Sequence, residues 1–331
     1  MRKPYRREPQ PVQIYHFANA APPRLLDSTE PLPQSGLIWI DILREEAQNW
    51  ACTVEPMAGC AIEAQHVADS LNPDHPSFFD GTADYDMLVF QGLGPRDDTF
   101  PLETRTAVFF LLDRMLVSVR GNESVSFGLV HQKLADGRLK PPGSILKLTH
   151  LVLDAMVDRF LRVREPMDRR FTALQDELLA PHGSVDDWRT LLDERRVARQ
   201  LEALCDDQLE ALDAWRRNTR TDWSSTEEIR IRDLIEHIDR VEAHAGAQGR
   251  DIEAAVQLHF AALTHRTNEI MKVFTVAAVV FMPLTLLTGI WGMNFEYMPE
   301  LHFHYAYFVA LGSLVVLGGL MLYIFKRKGY F

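Results

Sequence analysis

The chain has 331 residues, enough for one large domain or two ordinary ones, with 47% hydrophobic and 24% charged residues. That composition excludes a disordered chain, a collagen-like repeat and a polytopic membrane protein with many spans. A net charge of −11 argues against nucleic acid as a partner, and three cysteines (Cys52, Cys60, Cys205) without a C-x-x-C pair argue against a disulfide framework or structural zinc.

The basic start, residues 1–7, has no apolar core behind it and does not read as a signal peptide. Residues 1–142 read as a cytoplasmic α/β domain. Its strands are Val12–Phe17, Leu37–Ile42, Met87–Gln91, and the pair Ala107–Leu112 and Met115–Arg120 around an Asp-Arg turn. Ala61–Leu71 has helical spacing and stops at Asn72-Pro73; the proline-rich stretch 20–36 reads as a loop. Residues 143–272 are helical. An amphipathic helix spans Ile145–Leu179, Pro181-His182-Gly183 breaks it, and Val185–Arg217 returns antiparallel. A capping box of Ser225 and Glu228 starts a third. No strong breaker follows before Pro283, so the spacing predicts one helix from Ser225 to Gly292, about 68 residues and roughly 100 Å long.

The C-terminus differs from the rest. Val273–Phe295 is a run of 23 residues without a charge, and Leu301–Phe325 is another of 25. A span needs roughly 20 apolar residues, so 273–295 and 301–325 read as two transmembrane helices joined by the short external loop 296–300. Arg266 and Lys272 flank the first span, and the basic tail 326–331 begins with Lys326, Arg327 and Lys328; the loop carries Glu296 and Glu300 only. The positive-inside rule then places both termini in the cytoplasm. With the three basic and two acidic residues after Lys272 set aside, the body carries a net charge of −12.

A stripe runs along the long helix. Reading back from Gly292 in steps of three and four gives Gly289, Thr285, Met282, Ala278, Thr275, Met271, Asn268, Thr264, Ala261, Gln257 and Ala254. Each is small, polar or Met, while bulky Val273, Phe274, Val276, Val279, Val280 and Phe281 lie between. A 3.5-residue period keeps one face on a common axis over many turns. Close packing through small residues explains the glycines and alanines. It explains less well why Asn268, Thr264 and Gln257 continue the face below the bilayer. A symmetric parallel bundle around a narrow wet path explains both, and one stripe per chain makes that bundle a homo-oligomer.

At the outer end of the stripe stands Gly292-Met293-Asn294, followed by Phe295-Glu296-Tyr297-Met298-Pro299-Glu300-Leu301. Here the chain closely resembles the CorA-type magnesium channel family, whose signature is this tripeptide after the first of two C-terminal spans. The similarity extends upstream through Thr267–Val273 and Phe281–Thr285, and the layout of an α/β domain followed by long helices matches over essentially the whole chain. The resemblance implies a homopentamer in the bacterial cytoplasmic (inner) membrane, in contact with lipid, moving Mg²⁺ and also Co²⁺ or Ni²⁺ into the cytoplasm. Gly292, Met293 and Asn294 would be its selectivity filter. Asn268, Met271, Thr275, Met282, Thr285 and Gly289 would line the pore, and Lys326, Arg327 and Lys328 would form a basic collar. Mg²⁺ sheds water reluctantly, so a ring of neutral oxygens accepting hydrogen bonds from its hydration shell suits it, whereas carboxylates would slow its release. Glu296 and Glu300 either concentrate cations at the mouth or are solvated loop charges.

The resemblance also implies a regulatory Mg²⁺ site between subunits, on Asp69 (in Val67–Asn72) and Asp233 (in Arg232–His237). Three positions depart from the family pattern. Trp291 replaces the usual Tyr, Gln257 stands where some members carry an acid, and Ala68 replaces an acidic neighbour of the first Asp. His237, four residues after Asp233, is at a spacing that can ligate a transition metal, though such a pair is also an ordinary polar face. His302 and His304 flank the second span as interfacial residues do. No nucleophile set, phosphate loop or carboxylate pair stands out, so the chain does not read as an enzyme. The alternatives are a ZntB-like zinc transporter, against which the intact Met of the tripeptide argues, and a membrane-anchored scaffold or sensor that conducts nothing.

Overall fold

The structure, a computed structural model, describes residues 12–18, 23–27, 30–96, 100–137, 140–179, 187–294, 296, 298–302 and 304–329. It divides into two units, residues 1–254 and 255–331. The first unit is built on a seven-stranded sheet. In chain order the strands are β1 (Val12–Phe17), β2 (Arg24–Leu26), β3 (Leu37–Leu43), β4 (Phe78–Gly81), β5 (Asp86–Leu93), β6 (Thr104–Leu111) and β7 (Met115–Arg120). They lie in the order β2-β1-β3-β7-β6-β5-β4, antiparallel throughout except where β3 runs parallel to β7.

Strand alternation divides the apolar side chains between two cores. Trp39, Leu88, Phe90, Phe109 and Leu116 enter one, which α4 (Ile145–Leu179), α5 (Asp187–Asn218) and the start of α6 (Ser225–Trp291) complete. Ile38, Ile40, Val89, Val108 and Phe110 enter the other, beneath α1 (Trp50–Ala58) and α2 (Ala64–Leu71). A sixth helix of this unit, α3 (Val125–Ala135), packs His131 across Tyr15 and Trp39, with ring centroids 5.1 and 4.8 Å apart. Gly36 has a positive φ of 87° and lies so close to Phe17 that a Cβ would meet its carbonyl oxygen at 2.4 Å, so only glycine fits there.

Several boundaries differ from the sequence reading. The 20–36 stretch contains β2, which pairs with β1 from Ile14 to His16. The helix expected from Ala61 starts at Ala64, and α1, α3 and β4 were not expected at all. The break at Pro181-His182-Gly183 lies outside the described residues. The capping box is one residue earlier than expected. Ser224 and Glu227 exchange the bonds, with Ser224 N donating to Glu227 at 3.0 Å, because α6 begins at Ser225 and its third helical residue is Glu227. Glu227 also accepts from Ser144 at the start of α4, so one buried carboxylate ties two helix N-termini together.

In the second unit, α6 ends at Trp291, four residues before its apolar run does. Pro299–His302 forms a 3-10 turn, and α7 runs Ala306–Arg327. The second helix therefore starts five residues later than expected. The turn takes up Pro299–His302, with His302 Nδ1 3.3 Å from the Met298 carbonyl. Its end extends through Lys326 and Arg327, whose charges complement the helix C-terminus. Both α6 and α7 contain a stretch long and apolar enough to cross a membrane.

Candidate pore and cation sites

Within the hairpin, α7 covers one face of α6. Val276 and Val280 are buried, Leu284, Leu287 and Trp291 are half-buried, and Leu284 lies against Gly318 of α7. At 3.6 residues per turn those five side chains point about 180° away from the stripe. Every stripe residue from Ala254 to Gly292 is exposed. A shallow groove runs along it, lined by Ala278, Met282, Thr285, Gly289 and Met293 together with the bulkier Phe281, Leu286 and Ile290. Two of the stripe's hydroxyls are oriented by their own helix: Thr285 Oγ1 donates to the Phe281 carbonyl at 2.8 Å and Thr264 Oγ1 to the Phe260 carbonyl at 2.9 Å. With the proton so engaged, each oxygen offers acceptor lone pairs outward.

The expected filter sits where the helix ends. Gly292 N donates to the Thr288 carbonyl at 2.9 Å and Met293 N to Ile290 at 3.2 Å, a last tightened turn with Asn294 exposed beyond it. A Cβ on Gly292 would meet the Thr288 carbonyl at 3.2 Å, tighter than a side chain comfortably sits. The C-terminus of α6 is the negative end of the helix dipole, and it coincides with the tripeptide. Glu296 is exposed; Glu300 falls in the 3-10 turn, and its side chain is outside the described residues. Lys326, Arg327 and Lys328 are all exposed at the other end of α7.

The two aspartates singled out for control have separate surroundings within a chain. Asp69, at the end of α2, accepts from Gln65 Nε2 at 3.1 Å and lies 3.7 Å from His75 Nε2. Asp233, exposed on α6, lies 3.7 Å from His237 Nε2. Across from it on α4, burial pushes the His150 imidazole down and the Asp154 carboxyl up from their ordinary values. Among the described residues, no three His, Cys, Asp or Glu side chains of one chain gather to hold a metal. Sequence reasoning missed His75. It follows a turn at Asn72-Pro73, so no helical spacing points from Asp69 to it.

A mixed α/β body, three long helices and a C-terminal hairpin of two helices able to cross a membrane define a class of membrane-anchored proteins. Comparison with known proteins gives the family. The family described as "CorA-like Mg2+ transporter protein" matches residues 34–327, and the chain belongs to it. Among curated relatives, the cobalt/magnesium transport protein CorA of Thermotoga maritima is 30% identical over 202 residues, 61% of this chain and 54% of that protein. Among solved structures, the complete CorA magnesium transporter of Methanocaldococcus jannaschii superposes with a TM-score of 0.84 at 16% identity, over 98% of this chain and all of that one. The ZntB cytoplasmic domain of Vibrio parahaemolyticus gives 0.60 at 14% identity, over 78% of this chain and 98% of the other. Both show the fold.

Proposed function

We propose that copies of this chain assemble around α6 into a pore that passes Mg²⁺, with Co²⁺ and Ni²⁺ as related cargo, into the cytoplasm. The observation that carries this reading is the exposed stripe: it lies opposite the face that α7 covers and ends at Gly292-Met293-Asn294. A hairpin placed with α7 outward turns the stripe to a shared axis. There Asn268, Met271, Thr275, Met282, Thr285 and Gly289 line the path, and repeated Asn294 amide and Gly292 carbonyl oxygens accept hydrogen bonds from a hydrated cation. The family resemblance supports a homopentamer in the bacterial inner membrane, and the basic flanks support both termini inside. A divalent cation shared by Asp69 and Asp233 of the partner subunit controls it, because its loss leaves facing carboxylates that repel. The basic collar, Lys326–Lys328, acts on orientation and gating rather than on ion choice.

The likeness to a ZntB domain supports zinc as the alternative cargo. Flux into proteoliposomes separates the two: the proposal expects Mg²⁺ entry that Zn²⁺ does not match at equal concentration. Zn²⁺ entry without Mg²⁺ entry supports the alternative, and no entry of either supports a scaffold.

A further inference from the structure

We infer that a groove between α6 and α7, at the loop end of the hairpin, holds one acyl chain of a membrane phospholipid with its ester end at Trp291 and Tyr307; this rests on the proposed placement of the hairpin with α7 outward. The groove encloses about 710 Å³, within the usual range for a ligand pocket. The last turn of α6 contributes Thr288, Trp291 and Gly292, and the first turns of α7 contribute Tyr307, Ala310 and Ser313 among others. It shares no residue with the groove along the stripe. Short side chains make it. Where Leu284 lies against Gly318 the two helices touch. Nearer the loop, Ala306 and Ala310 stand one turn apart on the same face of α7, opposite Gly292, and present nothing long enough to close the gap.

The lining matches an ester-linked chain. Thr288 Oγ1 donates to the Leu284 and Thr285 carbonyls at 3.1 and 3.0 Å, and Ser313 Oγ donates to the Ala310 carbonyl at 2.7 Å. Both hydroxyl protons are thus spent on the helices themselves. Met298, Val309, Leu311 and Leu314 add apolar wall. Two donors remain, the Trp291 indole N–H and the Tyr307 phenol O–H, and neither has a hydrogen-bond partner among the described residues. Trp291 stands near the end of one apolar run and Tyr307 near the start of the other, the level at which amphipathic aromatics meet the ester and headgroup layer of a bilayer. An ester carbonyl accepts from such donors, and the chain below it meets only apolar wall.

A neighbouring copy of the chain fits less well. In the proposed bundle the copies meet at the stripe, whereas α7 supplies seven of the eleven residues that line this groove. Its wall continues onto Phe308, Val315 and Val316, all exposed on α7, the surface that faces lipid when the stripe faces the axis. The flank of another apolar helix has its backbone carbonyls already engaged, so seating one here would cover the Trp291 and Tyr307 donors without giving them an acceptor.

The test uses full-length protein in phosphatidylcholine vesicles whose acyl chains carry bromine, which quenches tryptophan emission on contact. The part of the quenching that Trp291→Phe removes belongs to Trp291. Wild type is expected to show that part, and to show it more strongly with bromine near the ester than near the chain end. Ala310→Phe fills the groove and is expected to lose it while the assembled size is kept; Ala306→Leu is the second filling variant should Ala310→Phe not assemble. Quenching of Trp291 that survives filling, or that is missing from the wild type, overturns the inference. Val316→Trp on the Trp291→Phe background tells the two failures apart. If the tryptophan introduced there is quenched and Trp291 is not, α7 faces lipid and a neighbouring copy fills the groove. If neither is quenched, the placement of α7 outward fails as well.

Discussion

The body and the hairpin of this protein solve opposite problems. In the first unit the sheet buries Phe109, Phe110 and Leu116 completely, and α4 and α5 bury Phe160 and Trp215, so one chain closes its own cores. In the second unit Val276, Val280 and Gly318 are buried, while Phe308, Val316 and Tyr323 stay more than 60% exposed. Hydrophobic side chains left out of a core need another medium, and under the proposed function lipid and further copies of the chain supply it. The contrast teaches that folding of one chain finishes the body and leaves most of the hairpin's apolar surface uncovered.

The largest expected effect is at the mouth. Asn294→Ala removes an exposed amide from the proposed filter without touching either core, so Mg²⁺ uptake should be lost while the assembled size by chromatography is kept. Normal uptake by the assembled variant would remove Asn294 from the filter. Next, Phe109→Ala should cost the body about 3–5 kcal/mol, the usual range for emptying a packed aromatic site, measured by thermal melting. Phe308→Ala, on an exposed face of α7, should barely move the melt. Equal losses would erase the distinction between the two regions.

A smaller effect concerns acid. Burial holds the His131 imidazole below its ordinary value of 6.5, against the pull of Asp41. Burial works to raise Glu227, but the hydrogen bonds from Ser144 and Ser224 outweigh it and keep the carboxyl below its ordinary 4.5. Both folded values are depressed, so the stability they contribute is present above those ordinary values and is lost as pH falls below them. The body should therefore melt lower with acidification in two stages, the first removed by His131→Gln. A pH profile unchanged by that substitution would contradict the assignment.

Much of this was legible because it is local. The strands β1 and β7, the full extent of α4 and the course of α6 follow from alternation, 3.6-residue spacing and the absence of breakers. The stripe is legible for the same reason. Short elements escaped: β2 and β4 have three and four residues, and α1 carries an internal proline at Pro56. These form because neighbours bury them, which no local period records. His75 escaped likewise, since its relation to Asp69 is made by a turn and by anchoring to β6. The proposed filter, Gly292-Met293-Asn294, rests on the family resemblance, because three residues between two spans carry little period of their own.

The central claim is that the stripe of α6 faces a water-filled path. With Cys52, Cys60 and Cys205 replaced, a single cysteine at Thr285 on the stripe can be compared with one at Val316, which is exposed on α7 away from α6. A charged, water-soluble thiol reagent should abolish Mg²⁺ flux through Thr285→Cys channels in proteoliposomes and leave Val316→Cys channels conducting. Block at Val316 with none at Thr285 would contradict the account.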